Sequence, residues 1–131
     1  MRSEDQLTPT APRALVVDDS AELRRFMVLV LERAGIVAES AADGEAALER
    51  ARGAPPDVVV TDLRLPGIDG LETCRRLAGI CGARTVLVSG APISAAMAGL
   101  VDAVLEKPFP PAALVERVRA LAADGPREPA G

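Results

Sequence analysis

The chain has 131 residues, a length that suits one ordinary domain with one hydrophobic core. Its 15 basic and 19 acidic side chains give a formal charge of −4, which argues against nucleic acid as a partner because phosphate backbones favour clustered Lys and Arg. No apolar run approaches the roughly 20 residues of a membrane span, and the polar first residues lack the apolar centre of a secretory signal. We therefore expect a cytoplasmic protein that contacts neither membrane nor nucleic acid.

The chain contains no histidine. This excludes Ser-His-Asp and Cys-His catalytic arrangements within it, and it leaves any phosphohistidine to a second protein. The two cysteines, Cys74 and Cys81, are too few for a metal site without histidine. We interpret them as reduced, partly buried residues on or just beyond one helix.

Both ends of the chain, residues 1–12 and 123–131, are rich in Pro, Gly and charge and are predicted to be disordered. Between them the sequence predicts five strand–helix repeats. The first strand, Ala14-Leu15-Val16-Val17, leads to a helix over about 21–34, with Ser20 as its cap and Gly35 as its stop. A short second strand near 36–39 precedes a helix over about 44–51.

The second half of the chain continues the same alternation. The predicted strands are Val58-Val59-Val60-Thr61, Thr85-Val86-Leu87-Val88 and 103–106, and the predicted helices are 71–77, a weak one over 93–99, and 111–122. Short Val/Leu runs of this kind are typical of buried parallel strands. Their alternation with helices predicts a doubly wound parallel sheet.

Polar side chains follow the predicted strands at their carboxyl ends: Asp18, Asp19, Asp62, Ser89 and Lys107. Open α/β sheets bind ligands at this edge, so three carboxylates, a hydroxyl and an ammonium are expected to meet there. Such a pocket suits a divalent cation and a phosphoryl group. Taken singly, the residues have ordinary structural interpretations: helix caps, turn residues and a solvated strand end. Their joint position at four strand ends favours the metal and phosphoryl interpretation.

Four segments together resemble the receiver domain of two-component response regulators: Val17-Asp18-Asp19-Ser20, the loop 62–70, Ser89, and Lys107-Pro108-Phe109. The resemblance covers residues 13–122 as one receiver domain, similar to the stand-alone chemotaxis regulators. It implies an α/β, flavodoxin-like fold with five parallel strands in the order 2-1-3-4-5 and helices on both faces. It also implies a cis Lys107–Pro108 peptide bond.

The resemblance implies a phosphoacceptor and a magnesium site. The implied acceptor is Asp62, and the implied Mg²⁺ ligands are Asp18, Asp19, Asp62 and the backbone carbonyl of Arg64. Lys107 and Ser89 would contact the phosphoryl group. The donor would be a histidine kinase or a histidine phosphotransfer protein, and the chain would be no enzyme beyond its own phosphorylation and dephosphorylation.

Three positions depart from the family's pattern. Val104 stands where an aromatic ring usually swings inward, and a β-branched side chain has little rotameric range. The interval from Ser89 to Lys107 is short by about one helical turn, which predicts a shortened fourth helix. Arg64 and Ala91 occupy positions that flank the phosphoryl group, and our hypothesis is that Arg64 shields the acyl phosphate from water.

The chain ends soon after the fifth predicted helix, so we expect a stand-alone, monomeric receiver. It would signal by docking to a separate output protein or by passing its phosphoryl group onward. The missing aromatic ring and short helix leave open a pseudo-receiver, a constitutive protein-binding module. A phosphatase working through an aspartyl-phosphate is disfavoured because it would need a second acid where Arg64 stands.

Overall fold

The computed structural model describes residues 11–127, which form a five-stranded parallel sheet in the order β2-β1-β3-β4-β5. The strands are β1 (Arg13–Val17), β2 (Val37–Ala41), β3 (Val58–Asp62), β4 (Arg84–Ser89) and β5 (Ala103–Glu106). The helices are α1 (Ala21–Arg33), α2 (Gly44–Gly53), α3 (Gly70–Cys81), α4 (Ala95–Ala98) and α5 (Pro111–Ala123). This is the predicted flavodoxin-like fold, and its fourth helix is a single turn, as the short interval indicated.

The sheet is buried on both faces because its central strands are continuous runs of branched apolar residues. On one face α1 and α5 cover the sheet with the buried residues Met27, Leu31, Leu114 and Val118. On the other face α2 and α3 cover it with Ala47, Leu48, Cys74 and Leu77. The two apolar layers fix the sheet between helices and leave its carboxyl edge to the loops.

Cap residues set the start of the first helix as the sequence predicted, while several other boundaries differ, among them the start of the second strand and the end of the third helix. The Ser20 side chain accepts a hydrogen bond from Leu23 N, which identifies it as the α1 cap. The second strand begins one residue later than expected, because Ile36 N still donates to Leu31 O at 3.0 Å. The third helix runs four residues beyond the predicted end at residue 77 and stops at Gly82, whose φ of 69° is left-handed.

The segment after α5 packs against the amino end of β4. Arg127 N donates to Gly82 O at 2.8 Å, and Arg84 Nε donates to Gly125 O at 2.8 Å. The expected disordered tail from residue 123 therefore differs from the structure up to Arg127. The predicted disorder of residues 1–10 and 128–131 lies outside the described residues. Within residues 11–127, no helix is both long and apolar enough to cross a bilayer.

Candidate functional site

The strand register brings the predicted carboxylates together. Val17 and Thr61 are direct partners across β1 and β3, so the residues that follow them, Asp18 and Asp62, lie beside each other at the carboxyl edge. Carboxylate oxygens of Asp18, Asp19 and Asp62 all lie within 4.8 Å of one another. Like charges this close repel unless a cation or a proton lies between them.

Asp18 is held tightly and has one side-chain oxygen without a partner. Its residue is 1 % exposed, its N–H donates to Ala41 O at 3.2 Å, and its Oδ1 accepts from Ser20 N at 2.8 Å. Within residues 11–127, Asp18 Oδ2 is the sole buried side-chain oxygen or nitrogen that lacks a hydrogen-bond partner. Such an atom is costly in a folded protein, which indicates a ligand.

Burial also changes the acidity of Asp18. Loss of hydration raises the pKa of this carboxyl above its ordinary 3.8, and the charges of Asp62 and Asp19 raise it further. The Ser20 N–H and the Lys107 ammonium act in the opposite direction. A bound divalent cation would act in the same direction as the Ser20 N–H and the Lys107 ammonium, because positive charge favours the ionised carboxylate.

Lys107 completes the charged cluster from β5. Its Nζ lies 3.4 Å from Asp62 Oδ2, and the two side chains are 31 % and 15 % exposed, so solvent reaches the pair. The main chain holds it in place, because Lys107 N donates to Ser89 O at 2.8 Å. The Lys107–Pro108 peptide bond is cis, as the resemblance implied. A cavity of about 330 Å³ opens beside this pair.

The Ser89 hydroxyl is bonded within its own loop. It donates to Ala91 O at 2.8 Å and accepts from Ala91 N at 3.1 Å. The hydroxyl lines the cavity together with Asp62, Arg64 and Lys107, so it would reach a phosphoryl oxygen there by exchanging its Ala91 carbonyl partner.

Arg64 contacts Asp62 through its backbone N–H. This N–H points to Asp62 Oδ1 at 3.4 Å, a long hydrogen bond. The Arg64 side chain lines the cavity, while the role of its carbonyl as a metal ligand stays a prediction.

Two residues that the sequence motifs do not include also shape the site. Arg24 Nη1 donates to the backbone carbonyl of Asp18 at 2.8 Å. A Cβ on Gly70 would lie 2.1 Å from the backbone oxygen of Asp62, so α3 begins in direct contact with the end of β3. Arg24 could have been found from the sequence, because it is a basic residue one turn into the helix that follows an acidic pair. Gly70 could not, because its role depends on a close approach that no local pattern encodes.

The residues fit a hard divalent cation. The donors are carboxylate oxygens, which Mg²⁺ prefers, and one of them is the partnerless buried Oδ2 of Asp18. Two or three carboxylates are sufficient because Mg²⁺ usually keeps several of its waters.

Comparison with known proteins agrees with this geometry. The response regulator receiver domain family matches the chain over residues 14–119. The chain belongs to the response regulator receiver domain family. Receiver domains are phosphoacceptor signalling domains that are phosphorylated on an aspartate by histidine kinases and bind Mg²⁺ at an acidic pocket.

Individual relatives show the same relationship. The DNA-binding response regulator MtrA of Mycobacterium tuberculosis is 36 % identical over 122 residues, which are 90 % of this chain and 54 % of MtrA. The chain therefore spans about half the length of the curated relatives it matches. The CheY-like receiver domain of Methylobacillus flagellatus superposes with a TM-score of 0.78 at 27 % identity, over 86 % of this chain and 99 % of that one.

A solved neighbour contains the ions that the acidic pocket suggests. TrrA of Thermotoga maritima, solved in complex with Mg²⁺-BeF, superposes with a TM-score of 0.76 at 29 % identity, over 84 % of this chain and 98 % of that one.

Proposed function

We propose that this receiver accepts a phosphoryl group on Asp62 from a phosphohistidine, carried by a histidine kinase or a histidine phosphotransfer protein. The functional unit is residues 13–122. The observation that supports this most is the meeting of three carboxylates within 4.8 Å of one another, with the Lys107 ammonium 3.4 Å from Asp62. This juxtaposition combines an oxygen nucleophile, a hard-cation site and a fixed positive charge.

In the proposed reaction an Asp62 carboxylate oxygen attacks the phosphorus of the phosphoimidazole. The new O–P bond forms as the N–P bond breaks, and the imidazole nitrogen leaves with the electron pair and takes up a proton. Asp18, Asp19, Asp62 and the Arg64 carbonyl would hold Mg²⁺, which neutralises the transferring oxygens when bound. Lys107 moves from the Asp62 carboxylate to the phosphoryl oxygens, because an ammonium is a mobile point charge.

Output would follow from the loop after β4. The Ser89 hydroxyl exchanges Ala91 O for a phosphoryl oxygen, which draws its loop inward. Val104 has no ring to follow this movement, so the change is confined to the loop and the one-turn α4. The changed surface would dock to a separate output protein, or the phosphoryl group would pass onward, in either case without nucleic-acid contact by this unit.

The decisive test is labelling with acetyl phosphate, followed by intact mass. Wild-type protein with Mg²⁺ is expected to gain one phosphoryl group, and EDTA is expected to prevent it. Asp62→Asn removes the nucleophile and should abolish labelling, whereas Asp124→Asn, the same change at an exposed residue, should label like wild type.

A second candidate function is a pseudo-receiver that binds a partner constitutively. The single-turn α4 and Val104 favour it, and the acid cluster opposes it. Folded wild-type protein that takes up no phosphoryl group from acetyl phosphate or from a phosphohistidine donor would establish this alternative over the first.

The lifetime of the acyl phosphate is a separate proposal. Arg64 lines the cavity beside Asp62, where its long side chain would exclude the attacking water, while Ala91 is too small to do so. Arg64→Ala is expected to speed loss of the label, measured as a first-order decay. A decay in the variant as slow as in wild type, or slower, contradicts this role.

A further inference from the structure

Asp18 depends on a basic side chain outside the acid cluster. Three of its four polar groups have partners: the N–H bonds to Ala41 O, Oδ1 to Ser20 N, and the backbone carbonyl to Arg24 Nη1 at 2.8 Å. The fourth, Oδ2, has none. Asp18 is thus bonded at every polar atom except Oδ2, and a carboxylate oxygen of Asp18 lies within 4.8 Å of oxygens of Asp19 and Asp62.

The Arg24 guanidinium bonds to a backbone carbonyl of the acid cluster and not to one of its carboxylates. Within residues 11–127 it forms no ion pair with any carboxylate. An arginine bound to Asp18, Asp19 or Asp62 directly would occupy oxygens that a cation needs. Bound to a backbone carbonyl instead, it orients the turn and leaves those oxygens free.

Because Arg24 lies on α1 and Asp18 follows β1, this hydrogen bond connects the two elements. Arg24 N donates to Ser20 O at 3.0 Å, in the first turn of the helix, while its side chain reaches back to the end of β1. The side chain therefore ties the first turn of α1 to the residue whose Oδ2 lacks a partner. Groups that orient a metal ligand commonly change metal affinity by about 10- to 100-fold when removed.

We infer that Arg24 is a positioning residue for the cation site: by binding the Asp18 carbonyl, it aims Asp18 Oδ2 at the ion. This inference rests on the proposed Mg²⁺ site. It predicts a change in Mg²⁺ affinity opposite to the change expected from the charge of Arg24 alone. Removing a positive charge near the site should tighten Mg²⁺ binding, whereas removing the hydrogen bond to the Asp18 carbonyl should weaken it.

The test is Mg²⁺ affinity of the unphosphorylated chain, measured by calorimetry or by amide NMR shifts, since the chain lacks tryptophan for fluorescence. Arg24→Ala is expected to weaken binding by about tenfold. Arg24→Lys, which keeps the charge and one donor group, should recover part of the loss. Arg25→Ala removes the same charge from the neighbouring exposed position and should not weaken binding.

The possible results separate the two proposals. If wild-type protein binds no Mg²⁺, the proposed site itself is contradicted. If wild-type protein binds Mg²⁺ and Arg24→Ala binds it equally or more tightly, the role of Arg24 is wrong while the site stands. The amide spectrum of the variant verifies that it is folded. Equal weakening in Arg25→Ala also overturns the role of Arg24, because that variant keeps the contact between Arg24 and the Asp18 carbonyl. If Arg24→Ala does not fold, Arg24→Lys decides by the same comparison.

Discussion

Asp18 and Asp19 are adjacent and chemically identical, but the fold gives them different environments. Asp18 is buried, with its N–H bonded to Ala41 O at the end of β2, and Asp19 is exposed. Asp62, the last residue of β3, lies between these extremes with a side chain 15 % exposed. The site therefore combines one rigid, poorly hydrated carboxylate with two that water reaches, and the rigid one is where an unpaired oxygen costs most.

The two cysteines differ in the same way. Both lie on α3, as the sequence indicated. Burial raises the pKa of the Cys74 thiol to about 12, and partial burial also raises the pKa of Cys81. Because the thiolate is the nucleophile, iodoacetamide on the native protein should label Cys81 and leave Cys74 unmodified until the chain unfolds. Peptide mass spectrometry distinguishes the two positions.

The same thiol makes stability depend on alkaline pH. The unfolded chain loses this proton near the ordinary pKa of 9.0, while the folded chain keeps it up to about 12. Between these values the unfolded state binds fewer protons, so Cys74 lowers the free energy of unfolding by at most about 1.4 kcal/mol per pH unit as the pH rises. Cys74→Ala should flatten that decline in the free energy of unfolding.

For the labelling experiment, iodoacetamide modification of native Cys74 as fast as that of Cys81 would contradict the burial of Cys74.

At the scale of elements, the contact between α3 and β3 holds Asp62 in place. Gly70 has no room for a side chain, since a Cβ would lie 2.1 Å from Asp62 O and 2.9 Å from Asp62 C. Gly70→Ala must push the helix start away from the strand end. We expect a loss of about 1–3 kcal/mol in the free energy of unfolding, measured in urea, and slower labelling of Asp62.

A glycine of the same helix supplies the control. Gly79 has open space where a Cβ would stand, so Gly79→Ala should stabilise by about 0.5–1 kcal/mol through helix propensity alone. A stable, normally labelled Gly70→Ala protein would show that the helix start adjusts without moving Asp62.

At the scale of the whole molecule, Asp102 joins three distant segments at the edge opposite the site. Its carboxylate, 10 % exposed, accepts from Thr85 N at 2.8 Å and Thr85 Oγ1 at 3.1 Å, and it pairs with Arg84 and Arg127. These contacts connect the start of β4, the approach to β5 and the segment after α5. Asp102→Asn weakens them together, and we expect the free energy of unfolding to fall by about 1–3 kcal/mol.

Asp124→Asn removes the same charge nearby at an exposed position and should stay within about 0.5 kcal/mol of wild type. Comparable urea midpoints for the two variants would mean that the Asp102 contacts add little to stability. Because this network lies far from the acid cluster, neither substitution should alter labelling of Asp62.

The order of elements, the parallel sheet and the edge at which the polar residues meet were predictable from the sequence. These follow from the periodicity and length of apolar runs, from cap residues such as Ser20, and from the rule that parallel strands share a carboxyl edge. Helix ends were less predictable, as α3 shows, because its last turn depends on where Gly82 meets the segment after α5.

Three features of the site depend on tertiary packing: which carboxylate is buried, which oxygen lacks a partner, and which side chains outside the acid cluster contact it. The contacts between elements that matter here are Arg24 with Asp18, Gly70 with Asp62 and Asp102 with Thr85. Their energies change when the distance between the atoms changes by a few tenths of an ångström. Local patterns carry no such information, since the packing of the complete sheet and its helices sets those distances.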